Sequence, residues 1–127
     1  NYVIRDHSDK ILFNELILIG KNDSVEMNDM IFTYSDKSEH KRKYYDPSSF
    51  IDNSNIERIK YITEKIASEI DVLSLGRVDY RYFKDKLYFI EINTVPAFSM
   101  TSDIGEICNL HKIEFDKIVK LFHETIN

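Results

Sequence analysis

Tryptophan is absent from this sequence, cysteine occurs once, and glycine and proline occur only three and two times in 127 residues. A lone Cys108 forms no internal disulfide, which fits a reducing compartment. With so few glycines and prolines, no linker, repeat or low-complexity tract divides the chain, so one domain is expected over residues 1–127. Long apolar runs are also missing. None is longer than four residues, as at 16–19, against the roughly 20 of a membrane span. Basic blocks are lacking too: 17 Lys and Arg face 22 Asp and Glu, net −5, which argues against a general nucleic-acid binder. Neither a membrane nor a nucleic-acid partner is therefore expected. No basic-then-apolar leader opens the chain, and the first methionine is Met27, which suggests a piece of a longer protein.

What is present is patterned. Residues 11–19 are rich in Leu and Ile and read as a strand, followed by turn residues 20–24, with another strand expected in 25–34. From Tyr34 to Asn53 the chain turns polar, as a functional or mobile loop would. Ser54 with Glu57 three residues on forms a capping-box pattern. Ile56, Ile59, Thr63, Ile66 and Ile70 follow at helical spacing, and Phe115, Ile118, Val119, Phe122 and Ile126 predict a second, closing helix. Both are expected to pack on a sheet.

Between the helices, residues 77–83 and 87–93 alternate β-branched and aromatic residues with polar ones around Lys84, Asp85 and Lys86, which predicts a hairpin. A three-residue loop would put Phe83 opposite Leu87, Asp79 opposite Glu91 and Arg77 opposite Asn93. Because alternate residues share a face, Arg77, Asp79, Glu91 and Asn93 then converge on one side. Val78, Tyr80, Tyr82, Tyr88, Ile90 and Ile92 fill the other, where a helix could cover them. Facing carboxylates repel unless a cation, a shared proton or solvent separates them. Two carboxylates and an amide carbonyl are hard oxygen donors suited to Mg²⁺, and the adjacent Arg suits phosphate. The competing reading is a solvated charge ladder on an exposed hairpin, worth little energetically.

The residues Gly76-Arg77-Val78-Asp79, then Phe89-Ile90-Glu91-Ile92-Asn93-Thr94-Val95-Pro96, then Ser99 to Ser102, resemble the C-terminal end of ATP-grasp ligases, nearest the D-alanine–D-alanine ligase family. An R-x-D hairpin before E-x-N-T-x-P is a specific combination. The resemblance is strong over residues 76–127 and upstream rests on the order of elements. It implies an α+β fold, the ATP-grasp C-terminal subdomain, with a largely antiparallel sheet backed by helices. It further implies an ATP-dependent carboxylate–amine ligase of peptidoglycan synthesis, cytoplasmic, working through an acyl phosphate. The cofactors would be ATP and Mg²⁺, with Asp79, Glu91 and Asn93 as metal ligands and Arg77 as the catalytic residue stabilising transferred and developing charge. Ser102 would bind the carboxylate of the second substrate. A mobile loop would bring a Lys-Tyr pair over the site: local sequence favours Lys43 and Tyr44, loop length favours Lys37.

Two departures qualify the resemblance. Ala97 stands where the family has Gly, and Phe98 and Met100 make the loop more apolar. The family's N-terminal substrate domain and ATP-binding lobe have no counterpart, so the segment alone is expected to be inactive. Its partners would be amino-acid-like small molecules and the missing lobe, with a homodimer left open. The alternatives are a non-catalytic ligase-like binding or scaffold module, or another ATP-grasp amino-acid or peptide ligase. Scattered His7, His40, His111 and His123 lack metal-ligand spacing and read as surface or helix-end residues. Cys108 reads as a small buried hydrophobe. Tyr44 and Tyr45 stand out as loop anchors.

Overall fold

The computed structural model describes residues 1–21 and 42–126. Strands β1 (Tyr2–Arg5), β2 (Ile11–Glu15), β5 (Ser74–Phe83) and β6 (Lys86–Asn93) form an antiparallel sheet in the order β2-β1-β5-β6. β3 (Leu18–Lys21) and β4 (Arg42–Tyr45) pair as a separate two-stranded ribbon. Helix α1 (Asn53–Glu69) covers one sheet face; α2 (Asp103–His111) and α3 (Phe115–Ile126) cover the other. This is the expected α+β arrangement, an antiparallel sheet backed by helices. Among the described residues no helix is long and apolar enough to cross a membrane.

β1 is buried along its whole length because alternate residues feed opposite cores. Tyr2 and Ile4 join Phe13, Leu75, Ile104, Ile107, Cys108 and Ile118 beneath α2 and α3. Val3 packs with Ala67 and Val72 on the α1 side. Cys108 is buried as expected, and burial pushes its thiol above the ordinary range, away from nucleophilic use.

Several local expectations change. The single strand over 11–19 breaks at buried Leu16, so its halves serve different sheets. The cap of α1 is Asp52, whose carboxylate accepts from the Asn55 N–H at 2.9 Å, instead of the Ser54–Glu57 box. Ser54 itself donates to Asp52. The inward stripe of α1 runs Ile56, Ile59, Thr63, Ala67, leaving Ile70 exposed at the C-cap. In α3 the last inward position is Thr125, bonded to Ser74 Oγ, and Ile126 points out. The expected strand over 25–34 and most of the polar loop lie outside the described residues.

The hairpin also differs in detail. Its loop is the two-residue turn Lys84-Asp85, both at positive φ (47° and 59°), as a type I′ turn requires. Continued without interruption, that turn would place Asp79 opposite Ile90. A bulge at Ile90 inserts one residue and restores Asp79↔Glu91, Val78↔Ile92 and Arg77↔Asn93. Before the bulge, Leu87 and Phe89 replace Tyr88 and Ile90 as the partners of Tyr82 and Tyr80. Tyr88 and Ile90 are exposed, not covered as the three-residue loop predicts, and Phe89, now opposite Tyr80, is exposed as well.

Candidate functional site

Arg77, Asp79, Glu91 and Asn93 sit at the end of the hairpin remote from its turn, paired as the alternation predicts. Arg77 makes a two-pronged contact with Asp79, Nε to Oδ1 at 2.8 Å and Nη2 to Oδ2 at 2.9 Å. Its Nη2 lies 3.9 Å from Glu91 Oε1. The guanidinium therefore stands between carboxylates that would otherwise repel, supplying from within the chain part of the cation that the pairing demands. Burial acts to lower the Arg77 pKa, but its neighbours, the hydrogen-bonded Asp79 carboxylate foremost, more than offset it, so the group stays charged.

The donor set fits a hard divalent cation. The Glu91 side chain is 61% exposed and Asp79 32%, so both reach solvent. Asn93 Oδ1 accepts from the Val95 N–H at 2.9 Å, which fixes the amide and leaves a second lone pair. Among the described residues no three His, Cys, Asp or Glu side chains gather as a metal cluster; here the third donor is an amide.

Beyond Asn93 the chain turns through Pro96 into a loop ending at Ser102, the N-cap position of α2. Ser102 makes no capping bond with its side chain. Its hydroxyl lies 2.8 Å from the Ser99 carbonyl and 3.3 Å from that of Ala97, and accepts from the Ser99 N–H. Ala97 is not among the non-glycine residues at positive φ, so the backbone there does not demand the glycine of the family pattern. Phe98 turns into the core against Phe115 and Phe122, whereas Val95 and Met100 are exposed beside the site.

Of the Lys-Tyr candidates, Lys37 lies outside the described residues. Lys43 and Tyr44 lie on strand β4, not in a loop, and Tyr44 Oη donates to Asp103 Oδ1 at 2.6 Å. Tyr45 meets Phe50 edge to face. Three residues escaped the sequence reading. Buried Asp103 anchors β4 to the start of α2. Gly105 is in such close contact that an added Cβ would stand 2.0 Å from the Met100 carbonyl oxygen. Tyr2, directly across from Arg77, donates to the Ala97 carbonyl at 3.4 Å. Its position beside Arg77 had no local signal, since the partners are far apart in sequence.

A family profile described as D-ala D-ala ligase C-terminus matches residues 4–123. The chain belongs to the D-Ala–D-Ala ligase C-terminal family. It is 29% identical to the D-alanine–D-alanine ligase of Fusobacterium nucleatum over 101 residues, 80% of this chain and 35% of that enzyme. It is 36% identical to the Thermotoga maritima ligase over 70 residues, 54% of the chain and 23% of the enzyme. The Clostridium acetobutylicum ligase is 30% identical over 71 residues, 54% of the chain and 21% of the enzyme. The chain thus spans about a third or less of these relatives. No solved structure matches it.

Proposed function

We propose that this segment is the catalytic C-terminal portion of an ATP-dependent carboxylate–amine ligase of the D-alanine–D-alanine type. The observation that carries this reading is the in-register convergence of Arg77, Asp79, Glu91 and Asn93 on one face, joined directly to the Pro96–Ser102 loop. In such a reaction the γ-phosphoryl group moves to a carboxylate oxygen, releasing ADP and giving an acyl phosphate. An amine nitrogen then attacks the carbonyl carbon, loses its proton, and phosphate leaves as the amide forms.

Asp79, Glu91 and Asn93 would hold Mg²⁺, which when bound neutralises nucleotide phosphate charge. Arg77, already charged and oriented by Asp79, opposes the charge that builds on the transferred phosphoryl group and on the tetrahedral oxyanion. Ser102 offers its hydroxyl to the carboxylate of the second, amino-acid-like substrate. The rest of the nucleotide site would come from the ATP-binding lobe that the family resemblance implies, which is why the segment alone is expected to be inactive.

The test is ADP release in the full-length ligase carrying Glu91→Gln. Loss of one ligating carboxylate should lower kcat/KM on the order of 100-fold. Unchanged turnover would overturn the reading. Wild-type protein that binds Mg²⁺ and ADP in calorimetry yet turns over no amino acid would instead be a non-catalytic binding module.

A further inference from the structure

Asp103 is only 6% exposed, so its carboxylate needs donors to offset the loss of water. One of them is the Tyr44 hydroxyl at 2.6 Å, the short length expected of a phenol donating to a charged oxygen. The bond joins two elements that strand pairing does not connect. Tyr44 stands on β4, in the ribbon separate from the four-stranded sheet, and Asp103 is the first residue of α2. Beyond that first turn a cleft of about 280 Å³ opens between Tyr44 and Tyr45 on the ribbon and Glu106, Asn109 and Leu110 on the helix. The bond therefore ties ribbon to helix at the residue next to Ser102.

We propose that Tyr44 is a positioning residue for the acceptor side of the site, holding the first turn of α2, and hence Ser102, through its hydrogen bond to Asp103. The inference rests on the reading of Ser102 given above and deepens it. Tyr44 acts here as a fixed strand residue, not as part of the closing loop that the resemblance suggests. Ser102 is the N-cap residue of α2, but its hydroxyl is directed to the Ser99 carbonyl at 2.8 Å and makes no bond to the helix. What joins Ser102 to α2 is backbone: Asp103 follows it directly, and the Glu106 N–H donates to the Ser102 carbonyl at 3.2 Å. The close approach of Gly105 to Met100 stops that turn from moving inward, yet does nothing to stop it moving out. The Tyr44 hydroxyl supplies a directed restraint on the same turn. Without that donor the buried carboxylate is left short of a partner, and turning it toward water moves the backbone that carries Ser102. A displacement of about 1 Å in a substrate-positioning group is enough to cost on the order of 100-fold. Because Ser102 is read as holding the second substrate, the loss should fall on that substrate and spare ATP.

The experiment uses the full-length ligase with ATP, Mg²⁺ and D-alanine, the substrate that names its relatives, and reads ADP release. Tyr44→Phe keeps the ring and removes only the hydroxyl. The expected result is a KM for the second D-alanine raised about 10-fold, with kcat and the KM for ATP within about 2-fold. A merely stabilising bond would lower Tm without that split. Asp103→Asn keeps an acceptor for the hydroxyl and should hold the KM near the wild-type value, whereas Asp103→Leu removes it and should match Tyr44→Phe. Combining Tyr44→Phe with Asp103→Leu should add nothing further. An unchanged acceptor KM in Tyr44→Phe, an equal rise in the KM for ATP, or additive losses in the double variant overturns the proposal. If Tyr44→Phe does not melt cooperatively, Asp103→Asn against Asp103→Leu decides, and equal acceptor KM values overturn it. Wild-type protein that releases no ADP with D-alanine overturns the ligase reading instead. Hydrogen exchange at the Glu106 amide then decides the geometry, faster in Tyr44→Phe if the bond holds the turn and unchanged if it does not.

Discussion

Gly105 shows how a single residue without chemistry of its own can set a site. The first turn of α2 passes so near the preceding loop that a Cβ at 105 would fall 2.0 Å from the Met100 carbonyl oxygen and 2.8 Å from its Cα. Both neighbours are backbone, so relief requires the loop or the helix to move, and Ser102 lies between them. Gly105→Ala should therefore destabilise by roughly 1–3 kcal/mol, as overpacking does, and raise the KM for the carboxylate-bearing acceptor. Thermal melting and steady-state kinetics check both, and an unchanged Tm would show that the close approach relaxes without strain. The four hairpin residues were legible because strand alternation is a local code. Tyr2, Asp103 and Gly105 were not: Tyr2 meets Ala97 across 95 residues and Tyr44 meets Asp103 across 59. No periodicity records such contacts.

At the scale of the element, the β5–β6 hairpin reaches the predicted pairing by another route. A three-residue loop and a two-residue turn plus one bulged residue give the same register at Asp79 and Glu91. The sequence pattern fixed the end that carries chemistry and misassigned the end near the turn, because a bulge has no signature in the alternation of Tyr88-Phe89-Ile90. The turn itself is imperfect. Lys84 sits at φ 47° with a Cβ that disfavours that region, whereas Asp85 gains the Tyr82 hydroxyl as a donor at 2.9 Å. Lys84→Asn, which tolerates positive φ, should stabilise the hairpin by about 0.5–1 kcal/mol and raise Tm by a few degrees while leaving ADP release unchanged. A lowered Tm would mean that Lys84 contributes through its contact over the Phe83 ring, 5.2 Å from the centroid, more than its backbone costs.

Across the whole molecule, the strand that matters most was the one the sequence announced least. β1 has four residues, too few for alternation to register, and its burial on both faces erases the polar half of the pattern. It also joins the two cores: Ile4 is fully buried with Leu75 and Ile104 on the α2–α3 side, and its neighbour Val3 is fully buried on the α1 side. The short helix α2 escaped for a related reason, since its nine residues include Gly105 and few charged positions to mark a polar face. If β1 couples the layers, Ile4→Ala should cost about 2–5 kcal/mol and lower the urea midpoint without splitting the transition. Far-UV circular dichroism reports the helices of both layers, and tyrosine fluorescence weights the α1 face, where Tyr80 bonds Thr63. Coincident curves in the variant would establish one cooperative unit. Separate midpoints would mean that the α1 layer and the α2–α3 layer melt independently, with β1 failing to transmit the loss of Ile4 from one core to the other.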